Sequence, residues 1–452
     1  MDPVAQAPAI SVPFAEAFRY WVRLGFINFG GPAGQIAIMH DDLVDRKRWI
    51  SNRRFLHALN FCMLLPGPEA TQLAIYIGWL LNGTWGGIVA GVFFVLPAFV
   101  LIMFLSWSYA VHADIAWVAA IFYGLRAAVI AIVLAAVIRI ASKALRNPVL
   151  VAIAIGAFVA IFFVKVPFPL IIAGAALVGG LGGRWVRDAF VPEVPDAADD
   201  SVLDRMDRDG DARVAGKWRT PLVLLVGLAV WWVPLLLVIA WRGSRDTLSE
   251  VALFFSQAAL VTFGGAYAVL SYINQAAVEV FGWLDAGQMV TALGLAESTP
   301  GPLIMVTEFV GFLGAYRFPG GLDPVAAGVL GATVTVWATF APCFLWIFLG
   351  APYIERLRGN RTLNAALSAV TAAVVGVIGN LAVTFGFAAL FDEIRGARVL
   401  GATFPLPEPA SLDVFAALLA LAGFLALWRF RLSVLWVVGG GALAGLVYQT
   451  IT

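Results

Sequence analysis

Two short tripeptides that interrupt apolar segments supply the chemistry that this sequence offers. Phe-Gly-Gly occurs at residues 29–31 and 263–265, and Pro-Gly-Pro occurs at 66–68 and 300–302. Glycine adopts backbone angles that end a helix, and proline removes a backbone donor. A helix that begins after such a break presents unpaired N–H groups and a partial positive charge, and both attract an anion. The sequence therefore predicts an anion site at these breaks.

Polar side chains beside the breaks provide further hydrogen-bond donors, as a tetrahedral oxyanion requires. The alternative interpretation is that the glycines allow close helix packing and the prolines only kink their helices. That alternative is the better one for a single motif, but four breaks paired by a repeat favour a binding site. The candidate substrate contacts at the breaks are Gly30, Gly31, Pro66, Gly67, Pro68, Thr71, Gln72, Gly264, Gly265, Ser298, Thr299, Pro300, Gly301 and Pro302.

Three acidic residues within the apolar segments are candidates for coupling transport to protons: Glu69, Glu297 and Glu308. Glu69 follows the first Pro-Gly-Pro, where a carboxylate suits the start of a helix but repels a dianion unless it is protonated. Ionisable groups at membrane depth are costly and are usually functional. The structural alternative is that each carboxyl is hydrogen-bonded and inert.

Three arginines also lie within apolar segments. Arg126 is near the middle of its segment, so we expect it to pair with the substrate or with a buried carboxylate, or else to form a structural ion pair. Arg19 and Arg23 are four residues apart and so share one helical face, where they could equally extend to the membrane interface.

The composition identifies an integral membrane protein. Of the 452 residues, 61% are hydrophobic and only 13% are charged, far from the balance of a soluble domain. A net charge of +1 without a basic face excludes nucleic acid as a partner. Cys62 and Cys343 are too few for a disulfide framework or a metal site, so we predict no metal and no cofactor. The first residues carry no charged start of a signal peptide, and insertion through the first hydrophobic segments is expected.

Thirteen hydrophobic segments predict an all-α polytopic fold, because about 20 apolar residues cross a bilayer as a helix. Nine are continuous: 85–107, 115–138, 148–164, 168–183, 221–241, 325–349, 363–390, 412–428 and 432–448. Four are broken: 14–39 and 251–273 by Phe-Gly-Gly, and 56–80 and 289–314 by Pro-Gly-Pro. A polar stretch with many aspartates, 184–219, is typical of a solvated linker and divides the chain into two halves.

The two halves are an internal repeat that aligns in a single register, called here the repeat register, in which Phe29 corresponds to Phe263. Both tripeptides, Trp49 with Trp283, and Ala58-Leu59 with Ala292-Leu293 coincide in this register without a gap. The loop that follows the first Phe-Gly-Gly is rich in Lys and Arg, whereas residues 274–288 contain neither. Since basic loops are cytoplasmic, equivalent loops lie on opposite sides of the membrane, which predicts inverted repeats.

The other loops obey the same charge rule only if each broken segment enters the membrane and returns to its own side. This threading predicts nine full spans and four re-entrant hairpins. The predicted domains are an N-terminal repeat (14–183), a cytoplasmic linker (184–219), a helix that inverts the topology (220–247) and a C-terminal inverted repeat (248–450). Irregular backbone at membrane depth must line a protein cavity, so the four breaks predict one central site.

The motifs resemble those of the chromate ion transporter family in its long two-domain form. The resemblance rests on Phe29-Gly-Gly-Pro32 with Gln35, on the basic loop with Trp49, on Leu65-Pro-Gly-Pro68 with Thr71 and Gln72, and on their repetition in the second half. Gln35 joins the candidate substrate contacts, as does Arg126. Ala266 replaces the expected proline after the second Phe-Gly-Gly, so the halves are expected to contribute unequally. The resemblance implies a multi-pass protein of the bacterial inner membrane that exports chromate and confers chromate resistance, driven by the membrane potential or an ion gradient.

The residues alone leave several functions open. A carrier of sulfate or a related oxyanion would share every feature, and a passive anion channel would share the broken helices but would not need the buried acids. A membrane enzyme is not expected, because no Ser/His/Asp group, His-Glu-x-x-His motif or cysteine cluster lies in the segments. A scaffold or receptor would leave the paired breaks without a purpose. A homodimer is left open.

Overall fold

The computed structural model describes residues 12–112, 115–183, 219–263, 266–351, 361–399 and 402–451, and nearly all of them are helical. The first half contains α1 (Phe14–Ile27), α2 (Gly31–His40), α3 (Asn52–Leu64), α4 (Glu69–His112), α5 (Ala116–Ala144), α6 (Pro148–Phe162) and α7 (Phe168–Gly182). The second contains α8 (Arg219–Arg242), α9 (Thr247–Val261), α10 (Ala266–Asn274), α11 (Ala286–Ser298), α12 (Val306–Arg317), α13 (Pro324–Gly350), α14 (Arg361–Leu390), α15 (Val414–Trp428) and α16 (Val434–Ile451).

One β-hairpin departs from the predicted all-helical fold. Strand β1 (Ile394–Val399) pairs antiparallel with β2 (Ala402–Pro407), with Ile394 opposite Pro407. The hairpin connects α14 to α15, where the sequence predicts only a loop. Its strands are six residues long and contain charged and proline residues, so they lack the apolar alternation by which strands are recognised.

All nine predicted continuous segments form helices, and six helices in the described part of the chain are long and apolar enough to cross a membrane: α4, α5, α8, α13, α14 and α16. The other three predicted spans are α6, α7 and α15, each 15 residues long. At 1.5 Å per residue such a helix is about 22 Å long, less than the roughly 30 Å of hydrocarbon. The protein is therefore a mostly helical, multi-pass membrane protein.

The helix α4 is itself two helices joined by a turn. Asn82 and Gly83 have non-helical backbone angles, and Gly83 has φ +68°. Gly78, before the turn, packs closely against Gly86 and Ala90 after it. The two parts of α4 therefore run antiparallel, as the separate predicted segments 56–80 and 85–107 require.

Two contacts connect the outer ends of successive short helices. Lys47, in the loop after α2, forms an ion pair with Glu16 in the first turn of α1 at 3.2 Å. In the second half, Trp283 precedes α11, and its ring packs against Gly314 near the end of α12. In each case, the chain enters along one short helix and comes back along the next.

Secondary structure repeats in the same register as the sequence motifs. A π-helical turn follows α2 at Asp41–Arg46, and its equivalent in the repeat register follows α10 at Gln275–Val280. The first and last residues of α3 and α11 also correspond in this register. Two equivalent long helices, the second part of α4 and α13, pack antiparallel, because Gly87 lies against Phe348 and Gly91 against Phe344.

Six helices from both halves form a separate packing unit, the six-helix bundle of α5, α6, α7, α14, α15 and α16. Its contacts are reciprocal between the halves. In α16, Gly445 packs on Ala120 and Gly124 of α5, and in α7, Gly179 packs on Ala365 and Ala369 of α14. Small residues at these crossings let the helix backbones approach closely. The remaining short helices, with α4 and α13, form a second unit, the broken-helix bundle of α1–α4 and α9–α13.

Candidate functional site

The four breaks meet through two equivalent backbone hydrogen bonds. The N–H of Gly67 donates to the carbonyl of Thr262 at 2.8 Å, and the N–H of Gly301 donates to the carbonyl of Asn28 at 3.3 Å. Asn28 and Thr262 correspond in the repeat register and lie at the ends of α1 and α9. Each Pro-Gly-Pro break is thus bonded to the residue before the Phe-Gly-Gly of the other half.

Each Pro-Gly-Pro break packs on a long helix of the other half. Gly301 packs on Ala98, which is the central residue of the second part of α4 (residues 84–112), and Gly67 packs on Cys343 of α13. A helix that crosses a membrane has its central residue near the bilayer midplane. The break at Gly301 therefore lies near the middle of the long helix on which it packs. Gly67 and Gly301 are buried, whereas Gly30 and Gly31 are half-exposed.

Glycine is required at the centre of both Pro-Gly-Pro breaks. Gly67 has φ +129° and Gly301 has φ +128°, angles that side-chain-bearing residues rarely adopt. A Cβ atom at Gly67 would lie 2.7 Å from Nε2 of Gln72 and 3.2 Å from Sγ of Cys343. A Cβ atom at Gly301 would collide with Ala98. Backbone angle and available space both exclude a larger residue.

Two of the predicted donors hold the breaks in place instead of facing an empty site. Nε2 of Gln35 donates to the carbonyl of Asn28 at 3.0 Å and to that of Gly301. Nε2 of Gln72 donates to the carbonyl of Pro66 at 2.8 Å. Because an amide nitrogen has only two N–H groups, Gln35 keeps no free donor.

The predicted hydroxyl donors differ in what they contact. The hydroxyl groups of Ser298 and Thr299 donate to the carbonyls of Leu295 and Ala296, so they close the last turn of α11. The hydroxyl of Thr71 is fully buried and has no hydrogen-bond partner among the described residues. Thr71 is therefore a predicted side-chain donor that stays free for a ligand. Gly264 and Gly265, also predicted contacts, lie outside the described residues.

Replacing Gln35 with leucine should separate the two breaks that it joins. The substitution removes two hydrogen bonds and leaves a buried carbonyl at Gly301 with one partner fewer, a loss of about 1–3 kcal/mol. We expect a Gln35→Leu protein that reaches the membrane but melts at a lower temperature and has lost most of its transport. Gln275→Leu, on a half-buried position outside the breaks, is the matched control. Unchanged melting of Gln35→Leu would contradict a structural role for this amide.

The three acidic candidates occupy different environments. Glu297 is buried and accepts a hydrogen bond from the hydroxyl of Tyr267. Glu308 is fully buried, and neither carboxyl oxygen has a partner among the described residues. Glu69 is the first residue of α4 and is half-buried. Tyr267 was not predicted, although it is the second residue after the Phe-Gly-Gly of the second half.

The arginines lie away from the breaks. Nε of Arg126 donates to Oγ1 of Thr291 at 3.0 Å, near the middle of α11. Thr291 lies seven residues, or about 10 Å of helix, before the end of α11 at Ser298, and Gly301 follows after that end. Arg19 and Arg23 are exposed on the outer side of α1, where the sequence allows either interpretation. The hydrogen bond found for Arg126 in the described structure is thus to α11 and not to a break.

Comparison with known proteins identifies the family. The model of the family described as chromate transporter matches residues 15–180 and 249–446, which are the two halves of the chain. A chromate transport protein of Cupriavidus metallidurans is 30% identical over 437 residues, 96% of this chain and 92% of the relative. One from Pseudomonas aeruginosa is 31% identical over 445 residues, 98% of this chain and 94% of the relative. A probable chromate transport protein of Synechococcus elongatus is 29% identical over 92% of this chain and 96% of its own. No solved structure matches the chain.

Proposed function

Because the chain belongs to the chromate transporter family, we propose that it exports chromate from the cytoplasm across the bacterial inner membrane. The observation that carries this proposal is the pair of reciprocal bonds from Gly67 to Thr262 and from Gly301 to Asn28. These bonds gather four interrupted helices at one depth. Helix starts gathered in a water-poor interior form a favourable environment for an oxyanion.

The proposed topology has two inverted repeats, with nine spans and four re-entrant hairpins. The antiparallel packing of the second part of α4 on its equivalent α13 supports it, since a two-fold axis that relates antiparallel spans must lie in the membrane plane. The return of the loop at Lys47 to Glu16 supports re-entrant hairpins. In this topology the repeats are 14–183 and 248–450, joined by the cytoplasmic linker 184–219 and the inverting helix 220–247.

The oxyanion is proposed to bind at the starts of α2 and α4. The N–H groups of a first helical turn have no partner within the helix, and Gly31 and Glu69 begin these two helices. The free hydroxyl of Thr71, in the first turn of α4, adds a side-chain donor. In this arrangement Gln35 and Gln72 position the backbone and do not contact the substrate directly.

Proton coupling is proposed to act through the buried acids. A dianion next to Glu69 is repelled unless that carboxyl carries a proton, so binding of chromate and of a proton would be linked. Glu297 and Glu308 lie on the matching elements of the second half. The membrane potential alone, without protons, is the rival driving force.

Uptake of chromate into everted membrane vesicles tests substrate and direction together. We expect energised accumulation that a tenfold excess of sulfate only partly suppresses, and a dependence on the imposed proton gradient that Glu69→Gln removes. Complete suppression by sulfate would identify a carrier of sulfate or a related oxyanion. Passive flux that is indifferent to energisation and to Glu69→Gln would identify an anion channel. No flux in either direction would refute transport at these breaks.

A further inference from the structure

One helix of the broken-helix bundle is exposed where its equivalent is buried. The α3 face consists of Arg53, Leu56, Asn60 and Met63, and the equivalent α11 face consists of Gly287, Val290, Gly294 and Glu297. The exposed fractions are 41% for Leu56 and 39% for Met63, against 0% for Val290 and 3% for Glu297. Asn60 is exposed, and its equivalent Gly294 is buried. The sequence repeat is thus not matched by equal packing.

The helix α5 of the six-helix bundle covers the α11 face. Leu125 and Val129 pack against Gly294, where an added Cβ atom would lie within 2.8 Å of both side chains. One turn earlier, Arg126 donates to Thr291. The equivalent of α5 in the second half is α14, but α3 packs chiefly on α4, and its Phe61 meets Gly350 of α13. The six-helix bundle therefore closes chiefly on the second half of the broken-helix bundle, although Phe122 of α5 also meets Tyr109 of α4.

The α3 face leads from the protein surface to the breaks. Arg53 lies in the first turn of α3 and Met63 near its end, three residues before Pro66. Gly30 and Gly31, at the neighbouring break, are half-exposed. Lipid does not tolerate irregular backbone at this depth, and an arginine and an asparagine on the same face also favour water. These features favour water over lipid at the α3 face, and the charge of Arg53 suits an anion.

We infer that the α3 face is the oxyanion's route between the breaks and the side of the membrane on which the basic loop lies. The α11 face is the second route. It opens when the six-helix bundle moves so that α14 covers α3. This inference rests on the proposed function for its substrate, but its geometry rests only on the repeat. In the described structure the first route is open and the second is closed. A carrier needs one state in which the first route is open and another in which the second route is open, and the two routes are never open at the same time.

The repeat specifies the contacts of the other state. In the six-helix bundle, Gly445 packs on Ala120 of α5 and Gly179 packs on Ala365 of α14, so Ala365 is the equivalent of Ala120. Extending this alignment along the two helices pairs Val374 with Val129. Asn60 corresponds to Gly294 in the repeat register. The contact of Val129 with Gly294 is therefore replaced by one of Val374 with Asn60.

Contacts within the six-helix bundle stay the same in both states, because the bundle moves as one unit. Ala131 of α5, which packs on Gly423 of α15, is such a contact. It therefore provides a reference against which an exchange between the two routes can be measured.

Disulfide trapping in native membranes tests this exchange. In a background of Cys62→Ala and Cys343→Ala, we would compare three cysteine pairs: Val129→Cys with Gly294→Cys, Asn60→Cys with Val374→Cys, and, as control, Ala131→Cys with Gly423→Cys. We expect all three pairs to form a disulfide on mild oxidation. Chromate should raise the cross-linking yield of one of the first two pairs and lower that of the other. Cross-linking of the first and third pairs without the second would show that the asymmetry is permanent and would overturn the inference.

Thiol labelling gives a second measurement that needs neither transport nor cross-linking geometry. A charged, membrane-impermeant maleimide should label Asn60→Cys in everted vesicles as readily as Arg53→Cys, and should leave Thr291→Cys unlabelled. A protected Asn60→Cys would mean that the α3 face contacts lipid, and the inference would be wrong. If labelling and cross-linking behave as expected while chromate uptake is absent, the two-state geometry holds and the proposed substrate fails.

Discussion

Alanine at both Gly67 and Gly301 should abolish energised chromate accumulation. Each glycine has φ close to +128°, and a left-handed backbone costs a residue with a side chain roughly 1–2 kcal/mol. The added Cβ atoms also meet Gln72 and Ala98, so both breaks must shift. A combined cost of about 2–4 kcal/mol corresponds to a roughly 30- to 1000-fold shift in the population of the native arrangement. The measurement is uptake into everted vesicles, corrected for protein by immunoblot.

A glycine in open helical surroundings provides the control for this double variant. Gly156 lies within α6, and an added Cβ atom there meets nothing within 4 Å. Alanine also favours a helix over glycine, so Gly156→Ala should keep both its abundance and its uptake. Normal uptake by the Gly67→Ala, Gly301→Ala protein would show that the geometry of the breaks is unimportant for transport.

Glutamine at Glu308 should make transport insensitive to an imposed proton gradient. Glu308 is fully buried with both carboxyl oxygens unpartnered among the described residues, an arrangement in which a charge is poorly tolerated. Glutamine preserves the shape of the side chain but cannot exchange a proton. We therefore expect Glu308→Gln to be as abundant as the native protein, while the ratio of uptake with and without the gradient falls to about one. Uptake measured across imposed pH differences checks this.

Glu279 offers a matched acidic position outside the helices of the breaks. It is exposed and forms an ion pair with Lys165 at 3.6 Å, which contributes at most about 1 kcal/mol at a surface. Glu279→Gln should therefore retain the native response to the gradient. A native response in Glu308→Gln as well would remove Glu308 from the coupling mechanism and leave Glu69 and Glu297.

The positions of the breaks could be predicted from the sequence because glycine and proline restrict the backbone locally. The coincidence of motifs in the repeat register was enough to pair the breaks, and the bounds of α3 and α11 correspond in that same register. The family resemblance is likewise confirmed. The inverted orientation of the halves stays a prediction, since it rests on the distribution of loop charges.

The partners of individual side chains could not be predicted, since they depend on how distant helices meet. The sequence predicts that Gln35 contacts substrate, but its amide donates to two backbone carbonyls, one of them in the other half of the chain at Gly301. Arg126 is near the middle of its apolar segment, yet depth alone does not reveal that it donates to Thr291 in the middle of α11. The sequence does not indicate that the carbonyls of Asn28 and Thr262 accept hydrogen bonds from the breaks, because every residue has a backbone carbonyl.

The interleaving of the two halves constrains how the protein is made. A ribosome delivers α5 and α7 to the membrane long before their partners α16 and α14 are synthesised, yet Gly124 packs on Gly441, and Gly179 on Ala365. The first half must therefore remain in the bilayer, with the glycine and alanine surfaces of α5 and α7 unpacked, until the second half has been synthesised. Assembly of the six-helix bundle becomes a late event that depends on the final helices. A chain that stops before α16 would lose a partner of α5 and expose that surface to quality-control proteases.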